Sequence, residues 1–235
     1  MLVNSLPNKN GLLVALPLSV RDRLRPSLKK VRLEAGSTLY DIISTFDHTW
    51  FITSGIVSLL TTPEAGGVIE AATIGREGMV GFSGITKRNE IKLRAYVRIS
   101  GEALQIDAKT LQNMIEQESA FLGLLFDYTY TLSAQFAVTA TCNRFHKAEQ
   151  RLARWLLTAR DRVSSDSMAL THGDMGQMLG VSRSRVSLAV RSLQKKGLIH
   201  YLQGQVRILN REGLEDAACG CHRAIRRVIG WILPP

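Results

Sequence analysis

Residues 170–209 read LTHGDMGQMLGVSRSRVSLAVRSLQKKGLIHYLQGQVRIL, and they carry the clearest structural pattern in the chain. Thr171 and Asp174 form a T-x-x-D sequence, in which the Thr hydroxyl caps a helix and the Asp side chain reaches back to the Thr amide. The helix that follows, DMGQML, is predicted to stop at Gly180, because glycine takes the left-handed conformation without a steric penalty. The pattern therefore predicts a short helix with a capped start and a glycine stop.

A second helix is predicted directly after this glycine. Ser182 is its predicted cap, RSRVSLAVRSLQKK is its body, and Gly197 ends it. Two helices joined by a tight turn need a very small residue where their backbones approach, and Gly176 supplies it. They also need apolar side chains at their crossing, and these are Met175, Leu179, Val181, Val186 and Ala189. This spacing predicts a helix-turn-helix.

The segment after the second helix, LIHYLQGQVRIL, alternates apolar and polar residues around Gln203 and Gly204. Such alternation about a glycine-containing pair predicts a β-hairpin, and a hairpin after a helix-turn-helix makes a winged helix. The first turn of the second helix presents arginine, which reads guanine well in the major groove of DNA. The predicted DNA contacts are Thr171, Ser182, Arg183, Ser184, Arg185, Ser187, Leu188, Arg191, Gln203 and Gly204.

The net charge of +10 is concentrated in the C-terminal part of the chain. Residues 1–145 contain 15 basic and 13 acidic side chains, whereas residues 146–235 contain 15 basic and only 7 acidic ones. Such an excess attracts nucleic acid or an anionic membrane. The helix-turn-helix decides for DNA, and the basic amphipathic tail at 223–233 is expected to pack its apolar side on the neighbouring structure rather than on a membrane.

The N-terminal part is predicted to be β-rich and the middle to be helical. Segments such as FITSGIVSLL at 51–60 and LRAYVRI at 93–99 have strand length and lie among glycines, which predicts an antiparallel sandwich or barrel. Residues 119–143 contain Asp127 as their only charge and predict a long helix. Frequent Thr, Ser and Gln residues argue against a membrane span, and Pro17 breaks the apolar run at 11–20 that could serve as a secretion signal.

A long helix with so little charge needs a cover on more than one side, and a second copy of the same helix is the economical cover. The predicted dimer contacts are Leu122, Leu125, Leu132 and Phe136. The composition changes again near residue 145, where an arginine-rich helix begins. We therefore predict an α+β protein with a β-domain at 1–118, a dimerisation helix at 119–144 and a winged helix at 145–235.

Residues 170–199, the hairpin and NREGLE at 210–215 resemble the DNA-binding domain of the Crp/Fnr family of bacterial transcription regulators. The resemblance implies an N-terminal β-roll of the cyclic-nucleotide-binding (jelly-roll) type, a long dimerisation helix and a C-terminal winged helix. It implies a cytoplasmic, homodimeric regulator, not an enzyme, with double-stranded DNA and RNA polymerase as partners. By this likeness Arg183, Ser184 and Leu188 align with base-contacting positions. Leu188 departs from the basic residue common there, and Arg185 is a plausible replacement contact.

The β-roll of cyclic-nucleotide-binding family members carries a Gly-Glu turn and an Arg-Ser/Thr-Ala triplet. This chain keeps Glu77 in GREG at 75–78, but Leu93 stands at the Arg position and Arg94 follows one residue later. On a strand, a shift of one residue turns the side chain to the opposite face. This shift disfavours a cyclic nucleotide, which stays the alternative hypothesis. Glu77 and Arg94 are kept as candidate effector contacts, and another small ligand, a partner protein or no ligand remain open.

Three cysteines, Cys142, Cys219 and Cys221, make no disulfide framework and fit a reducing cytoplasm. Residues 1–141 contain none, which excludes the N-terminal cysteine cluster of the iron-sulfur members of the family. Cys219, Cys221 and His222 could supply metal ligands, but C-x-C-H lacks the usual C-x-x-C spacing and a matching second pair. We therefore expect no metal and no cofactor. The sequence also lacks a P-loop, a G-x-S-x-G or an H-E-x-x-H motif, which argues against an enzyme.

Overall fold

The computed structural model describes residues 10–42, 47–62, 66–82, 93–230 and 232. These residues form two compact units, and the predicted α+β class is confirmed. The first unit draws on residues 1–59, 73–133 and 229–235. The second draws on residues 60–72 and 134–228.

The first unit is built on an antiparallel sheet. Two short helices, α1 (Gly11–Ala15) and α2 (Leu18–Leu24), precede it. Its strands are β1 (Lys29–Leu33), β2 (Thr38–Tyr40), β3 (His48–Thr61), β4 (Ile69–Ile74), β5 (Met79–Val80) and β6 (Arg94–Asp107). The strand order is β1–β6–β3–β4, with β2 also paired to β6 and β5 to β3. In the β1–β6 pair, Lys29 lies opposite Gln105 and Leu33 opposite Gly101.

Asn10 fixes the start of α1 to this sheet. Its Oδ1 accepts a hydrogen bond from the amide of Leu13 at 3.1 Å, which caps the helix. Its Nδ2 donates to the carbonyl oxygens of Ile52 and Gly78, both at 2.8 Å. The helix ends before Pro17, as the position of that proline predicts. A buried side-chain amide therefore satisfies backbone groups of three separate segments.

Two helices follow β6: α3 (Ala108–Gln117) and the long α4 (Ser119–Phe145). Asp107 caps α3 by accepting a hydrogen bond from the amide of Thr110 at 2.8 Å. Early in α4, Tyr128 is buried in the core of the first unit, and its hydroxyl donates to the carbonyl of Met79 at 2.6 Å. Among the described residues, no helix has the length and apolar character required to cross a membrane.

The second unit combines helices with a small sheet. Its elements after α4 are α5 (Ala148–Val163), β7 (Ser167–Ala169), α6 (His172–Leu179), α7 (Arg183–Lys195), β8 (Ile199–Leu202), β9 (Gln205–Ile208), α8 (Arg211–Ala217) and α9 (Cys221–Ile229). The three strands pair antiparallel in the order β7–β9–β8. One face of α5 is apolar and buried, at Leu152, Trp155, Leu156 and Ala159. In α9, Ile225 and Val228 are buried, so the apolar side of the basic tail packs within the chain, as expected.

Candidate nucleic-acid interface

The first helix of the predicted helix-turn-helix, α6, begins with the expected capping box. Thr171 Oγ1 accepts a hydrogen bond from the amide of Asp174 at 3.1 Å, and Asp174 Oδ2 accepts one from the amide of Thr171 at 2.9 Å. Two helix-start amides are therefore satisfied by side chains. This fixes where α6 begins, and with it the direction of the turn that follows.

The turn between α6 and α7 depends on two glycines. Gly180 has φ 58° and ψ 40°, the left-handed conformation that its position predicts. A Cβ added there would also lie 2.7 Å from Cδ1 of Ile69. Gly176 accepts the amide of Val181 at 3.2 Å, and a Cβ on Gly176 would lie 3.3 Å from the Val181 carbonyl oxygen. Both glycines thus permit the close approach that the sequence predicts.

The start of α7 differs from the prediction in one detail. Ser182 occupies the cap position with extended backbone, but its side chain makes no cap hydrogen bond. Its hydroxyl instead lies 3.0 Å from the hydroxyl of Ser184. The predicted role of Ser182 as a side-chain cap is therefore wrong, because the neighbouring serine offers its hydroxyl a competing partner.

One face of α7 is buried and the opposite face is open. The buried residues are Val186, Ala189, Val190 and Leu193. The exposed residues are Arg183, Ser184, Arg185, Leu188, Arg191 and Lys195. Leu188 is 64% exposed, so a large apolar side chain lies on the open face of α7.

Ser187 is also on the predicted contact list, but the structure does not place it on this open face. It is half-buried, and its hydroxyl donates to the carbonyl of Arg183 at 3.0 Å within the helix. The Nε of Arg191 donates to the carbonyl of Ser187 at 3.3 Å, which lays the arginine side chain along the helix surface. The Ser187 hydroxyl is thus already engaged by backbone.

The wing is a two-stranded hairpin, β8–β9, whose tip is Gln203 and Gly204. Both tip residues have positive φ, 47° and 80°, as a tight hairpin with two left-handed central residues requires. The carbonyl of Gly204 accepts the amide of Leu170 at 2.7 Å. The ring of His172 stacks on that of Tyr201, with 4.8 Å between centroids. These contacts hold the wing beside the start of α6, so Thr171 and the wing tip lie close together.

Several charges of the second unit are used internally. Lys196 Nζ donates to Glu149 Oε1 at 2.6 Å, and Ser192 donates to the other carboxylate oxygen at 2.8 Å. Burial opposes ionisation of Glu149, but these two hydrogen bonds outweigh it and lower the pKa of Glu149. By contrast, Arg183 and Arg185 make no ion pair with any residue that the structure describes. Lys196 is therefore committed to the fold, and the two arginines of α7 are available to an anionic partner.

Asp161 is the centre of a second internal network. Its carboxylate lies 2.8 Å from Nη1 of Arg211, 3.3 Å from Nε2 of His222 and 3.8 Å from Nε of Arg226. Burial alone would raise the pKa of Asp161, but the hydrogen bonds from His222 and Arg211 outweigh burial and lower this pKa. The network ties α5 to α8 and α9.

Two further buried contacts support the helix-turn-helix, and the sequence did not reveal them. Arg151 on α5 donates to Asn143 Oδ1 at 2.6 Å and also to the carbonyl of Leu179 at the end of α6. Trp155 Nε1 donates to Glu70 Oε1 at 2.7 Å, although Glu70 reads as an ordinary strand residue. The Arg151–Leu179 and Trp155–Glu70 contacts join residues 28 and 85 positions apart, and local patterns do not show such partners.

The candidate effector residues of the first unit already have protein partners. Glu77 is buried, and its Oε1 accepts the amide of Gly75 at 3.0 Å, which closes the turn that contains it. Arg94 contacts both carboxylate oxygens of Asp41, at 3.1 Å from Nε and 2.9 Å from Nη2. The sequence did not single out Arg98, which is buried, lies 3.3 Å from Ser58 Oγ through Nε and stacks on a tyrosine ring.

The four predicted dimer contacts on α4 occupy different environments. Leu122 is 45% exposed, Leu132 and Phe136 are half-buried, and Leu125 is buried in the core of the first unit. The sequence missed Phe126 and Tyr130, which are 67% and 65% exposed. Because α4 is apolar on nearly every side, its sequence does not show which face the rest of the chain leaves open.

The chain is similar to known proteins in one domain and over most of its length. Residues 150–217 match the family model of the Crp-like helix-turn-helix domain. The chain is 25% identical over 217 residues to the transcriptional regulatory protein btr of Bordetella pertussis, covering 86% of this chain and 87% of that protein.

Two solved structures have a similar fold. FixK2 from Bradyrhizobium japonicum aligns with a TM-score of 0.69 at 17% identity, over 82% of this chain and 98% of that chain. A protein from Eubacterium rectale assigned to the Crp/Fnr family of transcriptional regulators aligns with a TM-score of 0.70 at 16% identity, over 92% of this chain and 99% of that chain.

The second unit is thus a winged helix-turn-helix DNA-binding domain of the Crp type, joined in one chain to an antiparallel β-domain and a long helix. The chain therefore contains a Crp-like helix-turn-helix domain, and its fold is similar to that of a solved structure assigned to the Crp/Fnr family. The match to this domain model confirms the resemblance that the helix-turn-helix sequence predicted.

Proposed function

We propose that this chain acts in the cytoplasm as a homodimer that binds a roughly twofold-symmetric DNA site and regulates transcription. In this proposal residues 1–118 form the sensor domain, 119–144 the dimerisation helix and 145–235 the DNA-binding domain. The α7 helix of each copy enters a major groove, and the two grooves lie about 34 Å apart, one turn of the DNA helix.

The open face of α7 is the observation that carries DNA recognition. Arg183 and Arg185 stand in the first turn of a helix whose position is fixed by a capping box and two glycines. An arginine at such a place can donate two hydrogen bonds to O6 and N7 of guanine. Ser184 can bond a base or a phosphate, and Leu188 offers an apolar surface that fits a thymine methyl group. The wing tip at Gln203 and Gly204, with Thr171 beside it, is placed to contact phosphate.

Selection of binding sites from a random DNA library by the full chain, followed by affinity measurement, tests this assignment. Replacing Arg183 or Arg185 with Ala should cost about 1–3 kcal/mol each, a loss on the order of 10- to 100-fold in affinity. The matched controls are Arg223→Ala and Arg227→Ala, which remove the same charge from the exposed side of α9. Control variants should bind the selected site nearly as well as the parent. Equal affinity of R183A, R185A and the parent would show that α7 does not read the DNA.

Homodimerisation is supported by the exposed apolar stripe on α4. Leu122, Phe126 and Tyr130 stand four residues apart, so they share one helix face, and water covers them in the single chain. Exposed aromatic side chains in such a row are typical of a protein interface. A second copy of α4 packed along this row would remove them from water and bring two winged helices into one assembly.

Sedimentation equilibrium of the full chain tests the dimer. Replacing Phe126 and Tyr130 together with Glu should give a monomer, because two carboxylates cannot be desolvated at an apolar interface without a large penalty. The matched control is Lys109→Glu, which adds negative charge on the exposed surface of α3. A dimer that survives the double substitution with unchanged dissociation constant would place the interface elsewhere.

Two further parts of the proposal rest on the resemblance to the Crp/Fnr family. They are control by an effector at the sensor domain and contact with RNA polymerase. Glu77 and Arg94 stay the candidate effector contacts. An anionic effector must displace Asp41 from Arg94 to bind there, which disfavours a cyclic nucleotide at this position. The alternatives, a different ligand or a partner protein without any ligand, are separated by a thermal-shift screen of metabolites against the full chain.

A further inference from the structure

Four side chains of the types that bind metal ions converge in the second unit. They are Cys142, His146, Cys219 and Cys221, and their ligand atoms all lie within 4.8 Å of one another. Sγ of Cys142 is 3.5 Å from Sγ of Cys219, and Sγ of Cys221 is 3.6 Å from Nδ1 of His146. The three cysteines are buried and the histidine is half-buried.

The fold brings these residues together from two distant segments. Cys142 and His146 are one helical turn apart at the end of α4, where the amide of His146 donates to the carbonyl of Cys142 at 3.1 Å. Cys219 and Cys221 lie on either side of Gly220 at the start of α9, where the amide of His222 donates to the carbonyl of Cys219 at 3.1 Å. A helical i, i+4 pair therefore faces a C-x-C turn.

The spacing of the four atoms fits a single tetrahedral ion. Zinc binds thiolate sulfur at about 2.3 Å and imidazole nitrogen at about 2.0–2.1 Å, so tetrahedral angles place two sulfurs about 3.8 Å apart and a sulfur and a nitrogen about 3.6 Å apart. The Cys142–Cys219 contact at 3.5 Å and the Cys221–His146 contact at 3.6 Å have nearly these lengths. An iron-sulfur cluster, with several irons and bridging sulfides, holds its thiolates farther apart than one ion does.

We propose that Cys142, His146, Cys219 and Cys221 bind one Zn²⁺ ion in a closed Cys3His site that clips the end of α4 to the start of α9. Soft thiolate ligands with one imidazole in tetrahedral arrangement are the set that zinc prefers in structural sites. Binding releases the protons of the three thiols, so the occupied site has one net negative charge.

Neighbouring arginines supply the charge that such a site needs. Arg154 on α5 is buried and interacts electrostatically with all three cysteines. Its Nε is buried and has no hydrogen-bond partner among the residues that the structure describes. Arg151 interacts electrostatically with Cys142 and Cys219. A buried cation without an acid beside it is costly, whereas an anionic zinc-thiolate centre offsets that cost.

Two neighbouring alternatives explain fewer of the residues. A Cys142–Cys219 disulfide would use two of the three thiols, but it would not explain why Cys221 and His146 lie beside them. The sequence paired His222 with the two C-terminal cysteines, but its Nε2 lies 3.3 Å from Asp161, outside the cluster. The expectation of no metal rested on the absence of a second C-x-x-C pair, and the helical Cys142–His146 pair supplies the missing half.

The test uses the full chain produced without an affinity tag and measures its zinc content and its Co²⁺ absorption spectrum. The parent should contain stoichiometric zinc, and Co²⁺ should give the intense visible bands of a tetrahedral thiolate site. Loss even of a group that only supports a ligand costs about 10- to 100-fold in metal affinity, so Cys219→Ser, Cys221→Ser and His146→Ala should each lose at least about 100-fold. His222→Ala is the matched control and should keep the zinc affinity of the parent.

A rescue variant separates loss of a ligand from loss of the fold. Cys221→His restores a four-ligand set with two sulfurs and two nitrogens, and it should regain metal with a Co²⁺ spectrum shifted from that of the parent. Zinc content no higher than in a Cys142→Ser/Cys219→Ser/Cys221→Ser variant would overturn the site. Equal zinc affinity in H146A and H222A, or a Cys142–Cys219 disulfide in protein isolated under reducing conditions, would overturn it as well.

Discussion

Two arginines of the first unit and two of the second show opposite uses of the side chain. In the first unit, Arg94 is paired with both oxygens of Asp41, and Arg98 is buried against Ser58. In the second unit, Arg183 and Arg185 stand exposed at the start of α7 without an ion pair among the described residues. An arginine whose charge is already balanced inside the fold has little left for a polyanion, whereas an unbalanced one attracts phosphate over several ångströms. The difference explains why the C-terminal charge excess points to DNA.

The Asp161 network in the second unit balances positive charges inside the fold, as the Arg94–Asp41 pair does in the first unit. Replacing Asp161 with Asn removes the charged partner of Arg211, His222 and Arg226. Hydrogen bonds to charged groups contribute about 1.5–3 kcal/mol, so we expect D161N to lower the free energy of unfolding by about that amount. Urea unfolding of parent and variant at neutral pH measures the difference.

The same network gives a pH dependence with a definite sign. The folded chain lowers the pKa of Asp161, so its stabilising effect is complete at neutral pH. The effect begins to be lost as the pH falls through the ordinary aspartate value of about 3.9, and it is gone below the lowered folded value. The difference between the parent and D161N should therefore be largest at neutral pH and should shrink in acid. A difference that stays constant with pH would show that the carboxylate charge is not what stabilises the network.

Loss of a phosphate contact should lower DNA affinity less than loss of a base contact. Arg207 in the second unit tests this difference. Arg207 on β9 is an exposed residue of the wing, and it lies opposite His200 in the hairpin. Arg207→Ala should weaken binding to specific and random DNA by a similar few-fold factor, and it should reduce the slope of affinity against salt by about one ion. Affinity titrations across a salt series, with Arg227→Ala as the control, measure this. A selective loss on the specific site would make Arg207 a base reader.

The sequence predicted the winged helix more accurately than the rest of the chain. Capping boxes and glycine stops are local, so Thr171, Asp174 and Gly180 could be assigned before the structure was known. The open face of α4 could not, since Leu125 and Phe126 are adjacent and equally apolar, and only packing decides that one is buried and the other exposed.

Long-range partners were missed for a related reason. Glu70 and Trp155 are 85 residues apart, and Cys142 and Cys219 are 77 apart. Spacing along the chain carries no signal for such pairs. Ser182 shows that local rules also fail. Its position predicted a side-chain cap, but its hydroxyl contacts the hydroxyl of Ser184, two residues away.

The smallest expected effect belongs to the paired arginine of the first unit. Both side chains of the Arg94–Asp41 pair are partly exposed, so Arg94→Ala should cost about 0.2–1 kcal/mol in stability. Its charge is balanced by Asp41, so DNA affinity measured without added ligand should change by less than about 2-fold, in contrast to R183A and R185A. A loss of DNA affinity in R94A as large as in R185A would break the contrast between the units. It would mean that the Arg94–Asp41 pair controls the DNA-binding state, and the search for an effector would then begin at that pair.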